Sequence, residues 1–220
     1  TPSWLTSFEV HEVPGVTAEI IGRPAVWSEG DLPANMVWSA DSLAVDPTGH
    51  RFTTEAAVSF LNPWIAGPTF YSIWSDTQVQ KLVTEGFDTN RFGPAPAFLN
   101  YGYPIPEGTP VPNAMAVLDA AIEAGFVVKA DTIEELAGKL GMDAATLKAT
   151  VDTYNGYCEA GVDEQFGKDA ALLDKVDGGP YYAVTGVSYC YSTCGGLDIN
   201  ADFQVDRKST RLNSSHGYIS

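Results

Sequence analysis

The stretch Tyr181-Tyr182-Ala183-Val184-Thr185-Gly186-Val187-Ser188-Tyr189-Cys190-Tyr191-Ser192-Thr193-Cys194-Gly195-Gly196-Leu197-Asp198-Ile199 decides how this chain is read. Its first half is aromatic and β-branched, the composition of a half-buried pleated strand. Gly195-Gly196 interrupts it, and a short alternating strand follows. Paired glycines in a strand pattern mark either a β-bulge or a place where something flat lies against bare backbone.

Working outward, residues 7–13 and 16–21 read as strands around Pro14-Gly15. Residues 37–45 form an apolar run that enters the turn Asp46-Pro47-Thr48-Gly49-His50 and returns as Arg51-Phe52-Thr53-Thr54-Glu55, a hairpin pattern. Residues 56–68, with Pro63 and Pro68, read as a loop over Phe60 and Trp64. Residues 69–74 are a strand, and Ser75-Asp76 caps a helix over about 77–85. Residues 86–112 combine prolines and glycines with aromatics, an irregular but ordered excursion.

Helical periodicity resumes at Asn113, with Met115, Leu118 and Ile122 on one face. Residues 126–129 are a short strand, and Thr132-Ile133-Glu134-Glu135 is a capping box. Asp143 opens a helix that stripes Leu147, Val151, Tyr154 and Cys158, and residues 161–179 are loop.

A chain of 220 residues holds one large or two small domains, and 45% hydrophobic with 18% charged residues is a globular composition. It has no unbroken apolar run of about 20 residues, so no membrane insertion is expected in this segment. The last fourteen residues, 207–220, turn abruptly basic and polar; Asp206 to His216 resembles an in-frame translation of a common sequencing adapter. They are set aside as an artefactual tail. Residues 1–206 carry 9 basic and 28 acidic side chains, net −19, which argues against nucleic acid and anionic membrane surfaces as partners. Cys158, Cys190 and Cys194 fit neither a zinc site nor a disulfide framework, and no metal is expected. Cys190 and Cys194 read as small structural thiols, with a redox pair as the sharper alternative. His11 and His50 read as solvent-facing.

The hairpin, the 131–169 helical section and the segment 180–206 together resemble the fumarate reductase and succinate dehydrogenase flavoprotein superfamily, which includes the 3-ketosteroid dehydrogenases. The residues that carry the resemblance are Pro180 to Val184, Thr193 to Leu197, Ile199, Val205-Asp206 and the Arg51-Phe52…Glu55 strand. It implies an α+β fold: a capping domain of that flavoprotein type plus a partial FAD-binding, Rossmann-like domain. Residues 1–19 would end a flavin-domain segment, 20–178 would form the substrate cap, and 179–206 would return to the flavin domain. The cofactor implied is FAD, with its phosphate contacts outside these residues. The chain therefore reads as a fragment that holds FAD poorly and is inactive alone. The resemblance leaves the compartment open.

Within that resemblance, Ser192, Thr193, Cys194, Gly195 and Gly196 fall on the flavin-contacting segment. The family's proton-delivering arginine falls at Ser59, and its Thr-Glu relay pair at Ala34 and Asn35; its substrate and flavin histidines fall at Tyr191 and Ser192. The arginine, the histidines and the glutamate are thus replaced. No arginine occurs between Arg51 and Arg91, and a dicarboxylate calls for bidentate arginine. Fumarate and succinate are therefore not expected as substrates. Tyr191, with Tyr189, is the candidate proton donor, because a pre-organised tyrosine hydroxyl can polarise a carbonyl or give up a proton; ordinary strand packing is the alternative for each. Asn35, Glu55, Arg51 and Tyr71 are candidate substrate contacts, with Tyr101 a further contributor. Arg51 either pairs with Glu55 or backbone on the hairpin, or reaches a ligand.

The expected reaction is hydride transfer between flavin N5 and an activated C=C bond of an apolar or enone-type small molecule, with room for an electron-donor protein or domain. The competing reading is a non-catalytic binding or structural module that kept the fold and lost its catalytic residues.

Overall fold

The computed structural model describes residues 5–7, 32–56, 63–88, 105 and 107–189. Its organising element is β5 (Tyr181–Tyr189), as the sequence suggests. β3 (Thr69–Ser75) pairs antiparallel along one edge of it, from Thr69↔Val187 to Ser75↔Tyr181. The other edge is shared by two short strands. β4 (Val127–Ala130) pairs with residues 181–184, and β1 (Leu5–Ser7) with residues 187–189. β2 (Leu43–Val45) completes the sheet on the outer side of β3. The strand read as the return to the flavin domain thus shares one antiparallel sheet with strands from residues 20–178.

Period-2 alternation gives this sheet two apolar faces. Phe70, Trp74, Tyr182 and Val184 point to one core with α1 (Leu32–Trp38), α3 (Asp76–Thr84) and α4 (Ala114–Glu123), which contribute Leu32, Met36, Val79, Leu82 and Leu118. Ile73 and Ala183 point to a second core with α5 (Ile133–Leu140) and α6 (Ala144–Ala160), which contribute Leu136, Leu147, Val151 and Tyr154. Helices therefore cover both faces, and the architecture is mixed α+β. A short helix α2 (Pro63–Ala66) precedes β3. No described helix is long and apolar enough to cross a membrane.

The helix starts follow from their caps. Ser75 and Gln78 form a reciprocal capping box on α3, and Gln78 also donates to the Asp41 carbonyl at 2.7 Å. Asp143 accepts from the Thr146 backbone at 2.8 Å. Thr132 caps α5 by accepting from Glu135 N–H, but the Glu135 carboxylate reaches the Asp131 N–H, one residue earlier than a closed capping box requires.

Three expectations are corrected. The run 37–45 is not a single strand: residues 37–38 end α1 and the strand begins only at Leu43. Tertiary burial selects the helix there, because Leu32, Ala34, Met36 and Val37 all enter the first core. The hairpin is also shorter than expected. Val45 and Arg51 form an isolated bridge, and the turn is held by the Asp46 N–H to the His50 carbonyl, the Gly49 N–H to the Asp46 carbonyl, and the Asp46 carboxylate, which accepts from the N–H groups of Thr48 and His50. Residues 8–13 of the first expected strand, the strand expected at 16–21, Phe60 and the Gly195-Gly196 step lie outside the described residues, and Trp64 falls in α2 rather than in a loop.

Candidate functional site

Arg51 lies at the foot of the turn, where the bridge to Val45 turns its side chain inward. Its guanidinium makes two forks. Nε and Nη2 donate to Glu55 Oε1 and Oε2 at 2.8 Å each. Nη1 and Nη2 donate to Asp163 Oδ1 and Oδ2 at 2.9 Å each. The side chains of Arg51, Glu55 and Asp163 are essentially closed to solvent. Tyr154 of α6 and Phe166 stack against the guanidinium, with ring centroids at 5.0 and 5.2 Å. Planar, bidentate pairing with aromatic cover is what a buried arginine requires.

A second buried cation completes the group. Lys168 Nζ lies 3.2 Å from Glu55 Oε2 and donates to Tyr154 OH at 2.7 Å and to the Ser42 carbonyl at 3.2 Å. Asp163 also accepts from the backbone N–H groups of Gln165, Phe166 and Lys168, and Glu55 from that of Ala44. Burial pushes the Asp163 carboxyl up, but its hydrogen bonds from Arg51 and from the Lys168 backbone outweigh this and bring it down to about 2. Burial likewise opposes the charge on Glu55, and Lys168 and Arg51 override it, leaving its carboxyl depressed. Burial raises the Tyr154 hydroxyl, with the Glu55 charge adding to it. Burial lowers the Lys168 ammonium despite Glu55 beside it.

Chemically, this cluster is a clasp. Its charges balance two against two, its hydrogen bonds are satisfied, and both edges of Arg51 are taken. The Lys168–Tyr154 pair resembles a proton-transfer couple, yet both residues are sealed, Lys168 at 3% exposure and Tyr154 at 1%. A shallow groove beside it, lined by His50, Arg51, Thr146, Ala149, Thr150 and Gln165 among others, takes in none of Asn35, Glu55 or Tyr71.

The candidate substrate residues do not converge. Arg51 and Glu55 meet each other. Asn35 lies in α1 on the first core, where its Oδ1 accepts from the Ile105 N–H at 2.8 Å. Tyr71, half-buried on β3, packs on the second core across the sheet. Tyr189 is the last residue of β5 and pairs with Leu5. Tyr191, Ser59, Ser192, Thr193, Cys194, Gly195, Gly196 and Tyr101 lie outside the described residues, as do Cys190 and His11. Cys158 is half-buried, and burial raises its thiol. His50 is exposed in its turn.

Asp163 as the second partner of Arg51, and Lys168 as the second cation on Glu55, were missed. The local signal for Asp163 was an aspartate just after the helix-ending Gly161, where its side chain collects turn N–H groups. For Lys168, one of two lysines in a long acidic loop, no local signal set it apart.

Residues 20–213 match the FAD binding domain family. The match runs into the segment set aside above as a tail. The chain belongs to this family, the fumarate reductase and 3-ketosteroid dehydrogenase group of flavoproteins, and its cofactor is FAD. It is 33% identical over 159 residues to the vinyl phenol reductase of Lactiplantibacillus plantarum, covering 71% of this chain and 31% of that protein. It is 42% identical over 90 residues to the urocanate reductase of Eggerthella lenta, covering 41% of this chain and 15% of that protein. Its fold is similar to 3-ketosteroid delta1-dehydrogenase from Sterolibacterium denitrificans, with TM-score 0.54 and 23% identity over 93% of this chain and 35% of that one. The chain thus spans about a third or less of these relatives.

The described residues end β5 immediately before the segment read as the flavin contact. FAD, when bound, supplies the hydride chemistry; on the family resemblance, residues 192–196 would lie against its ring.

Proposed function

We propose that this chain is the cap and one flavin-proximal strand of an FAD-dependent oxidoreductase that transfers a hydride to or from an activated C=C bond. Its substrate is an apolar or enone-type molecule with neutral oxygen, not fumarate. Tyr191 serves as proton donor, with Tyr189 supporting it from the end of β5, and Ser192 to Gly196 face the flavin.

The observation that carries the substrate class is the state of the buried cations. Arg51 and Lys168 are the buried cations among the described residues, and both are committed to Glu55, Asp163 and Tyr154. Neither presents an open fork to a substrate carboxylate, and a dicarboxylate bound without cations would carry its desolvation cost uncompensated. The vinyl phenol reductase relative, whose name describes a neutral aryl alkene, is consistent with that class.

The test is Tyr191→Phe in a protein extended to the length of the relatives. Reoxidation of the reduced flavin by a vinyl phenol or a steroid enone should drop by at least a hundredfold with flavin retained, in line with general-acid contributions of about 10² to 10⁴. Unchanged turnover removes Tyr191 from the mechanism.

A further inference from the structure

The groove beside the clasp has about 450 Å³ of room, the size of a small-ligand site. Its walls are tied to one another. Thr150 of α6 donates to the Gly49 carbonyl at 2.8 Å, and the Gln165 N–H donates at 3.0 Å to the Asp163 carboxylate, which Arg51 holds. A groove fixed in this way asks for little ordering when a ligand enters. His50 lines it, and a relay orients the ring. The Asp46 carboxylate only accepts, so the single Thr48 hydroxyl proton goes to Asp46 Oδ1 at 2.6 Å. The Thr48 oxygen then accepts from His50 Nδ1 at 3.0 Å, which leaves Nε2 of the neutral ring as an acceptor. Among the described residues, neither that Nε2 nor the Gln165 side-chain amide has a partner, and both belong to the groove lining.

The rest of the lining sets the class of ligand. Thr146 and Thr150 spend their hydroxyls on Asp143 and Gly49, so with Ala145 and Ala149 they offer mainly apolar surface. Among the described residues no carboxylate lines the groove, and both edges of Arg51 are taken, so an ionic ligand would meet no opposite charge. A phenol combines a strong neutral donor with a flat apolar body. We propose that this groove binds a neutral phenol, whose hydroxyl donates to His50 Nε2 and accepts from the Gln165 amide while its ring lies on the Ala145 and Ala149 face of α6. Such a site lies beyond the oxidoreductase reading above, since its ligand needs no C=C bond.

The experiment titrates the flavin-loaded protein, at the full length of its relatives, with p-cresol, toluene and benzoate. It is read by NMR at the His50 ring nitrogens and the Gln165 side-chain amide. Saturable shifts of both signals are expected with p-cresol, and toluene and benzoate should leave His50 Nε2 where it is. His50→Phe removes the acceptor from an exposed position, so the melting temperature should hold. Binding of p-cresol to that variant, followed at Gln165, should weaken roughly three- to tenfold, the worth of one hydrogen bond. Ala149→Phe fills the groove and should abolish the His50 shift. The absence of a saturable shift at His50 overturns the proposal, as does an equal shift with toluene or benzoate, or undiminished p-cresol binding in His50→Phe. Binding of p-cresol seen only through the flavin absorbance also overturns it and leaves the substrate class standing. Reoxidation of the flavin by fumarate, in a protein whose His50 shifts with p-cresol, removes the substrate class and leaves this site in place.

Discussion

Arg51 and Asp163 stand 112 positions apart in the chain and meet through two parallel N–H···O bonds of 2.9 Å each. That contact ties the turn after β2 to the loop after α6. Removing Arg51 leaves Asp163 buried without its cation and Glu55 with Lys168 alone, so Arg51→Met should cost about 3–5 kcal/mol of unfolding free energy. Arg51→Lys should recover part of it, since one ammonium cannot fill both forks. Denaturant unfolding measures both, and a loss under 1 kcal/mol for Arg51→Met means the clasp is not formed as described.

The same carboxylates set an acid limit. The Asp163 carboxyl sits at about 2 in the fold, below its ordinary value, and Glu55 is also depressed. The folded state thus binds these protons less tightly than the unfolded chain, and unfolding takes protons up. Their stabilisation is complete above about pH 5, above the unfolded carboxylate range, and is lost as pH falls from there through about 2. Urea unfolding between pH 5 and 2 should show stability declining with pH, and Asp163→Asn should flatten the decline. An equally steep decline in Asp163→Asn contradicts the assignment.

Gly186 of β5 lies under Phe70 of β3, and a Cβ there would sit on the phenyl ring. Phe70 is fully buried and held edge-on by Phe52, so it has nowhere to move. Gly186→Ala should destabilise by about 1–3 kcal/mol, as overpacking does. The double variant with Phe70→Leu should be less destabilised than the two single effects added together. Additive losses would show that the two residues do not touch.

Ser75 caps α3 and, through Gln78, connects it to Asp41. Ser75→Ala should cost about 1 kcal/mol, read as a shifted denaturation midpoint with unchanged slope. A neutral result would remove the cap from the account.

Such local features were legible in the sequence because their cause is local. Ser75, Thr132 and Asp143 each cap a helix within three residues of the group they satisfy, and β3, β4 and α6 announce themselves by periodicity. The pairing of Arg51 with Glu55 was one of two readings left open on the hairpin, and the structure shows that pairing. What stayed hidden depends on chain that is distant in sequence. Nothing near Arg51 encodes Asp163 or Lys168, and nothing within residues 37–45 encodes the core that makes residues 37–38 the end of a helix. Asn35 and Tyr71 looked alike as polar contacts, but α1 carries Asn35 to the Ile105 backbone beside the first core while the alternation of β3 turns Tyr71 to the second.

The central claim is that the site serves a neutral, oxygen-bearing alkene. The most direct measurement reduces the flavin of the protein at the full length of its relatives anaerobically. Fumarate, a vinyl phenol and a steroid enone are then added separately while flavin absorbance is followed. The account predicts reoxidation by the vinyl phenol or the enone and none by fumarate. Rapid reoxidation by fumarate would contradict it, because some cation other than Arg51 and Lys168 would then have to hold the substrate's carboxylates.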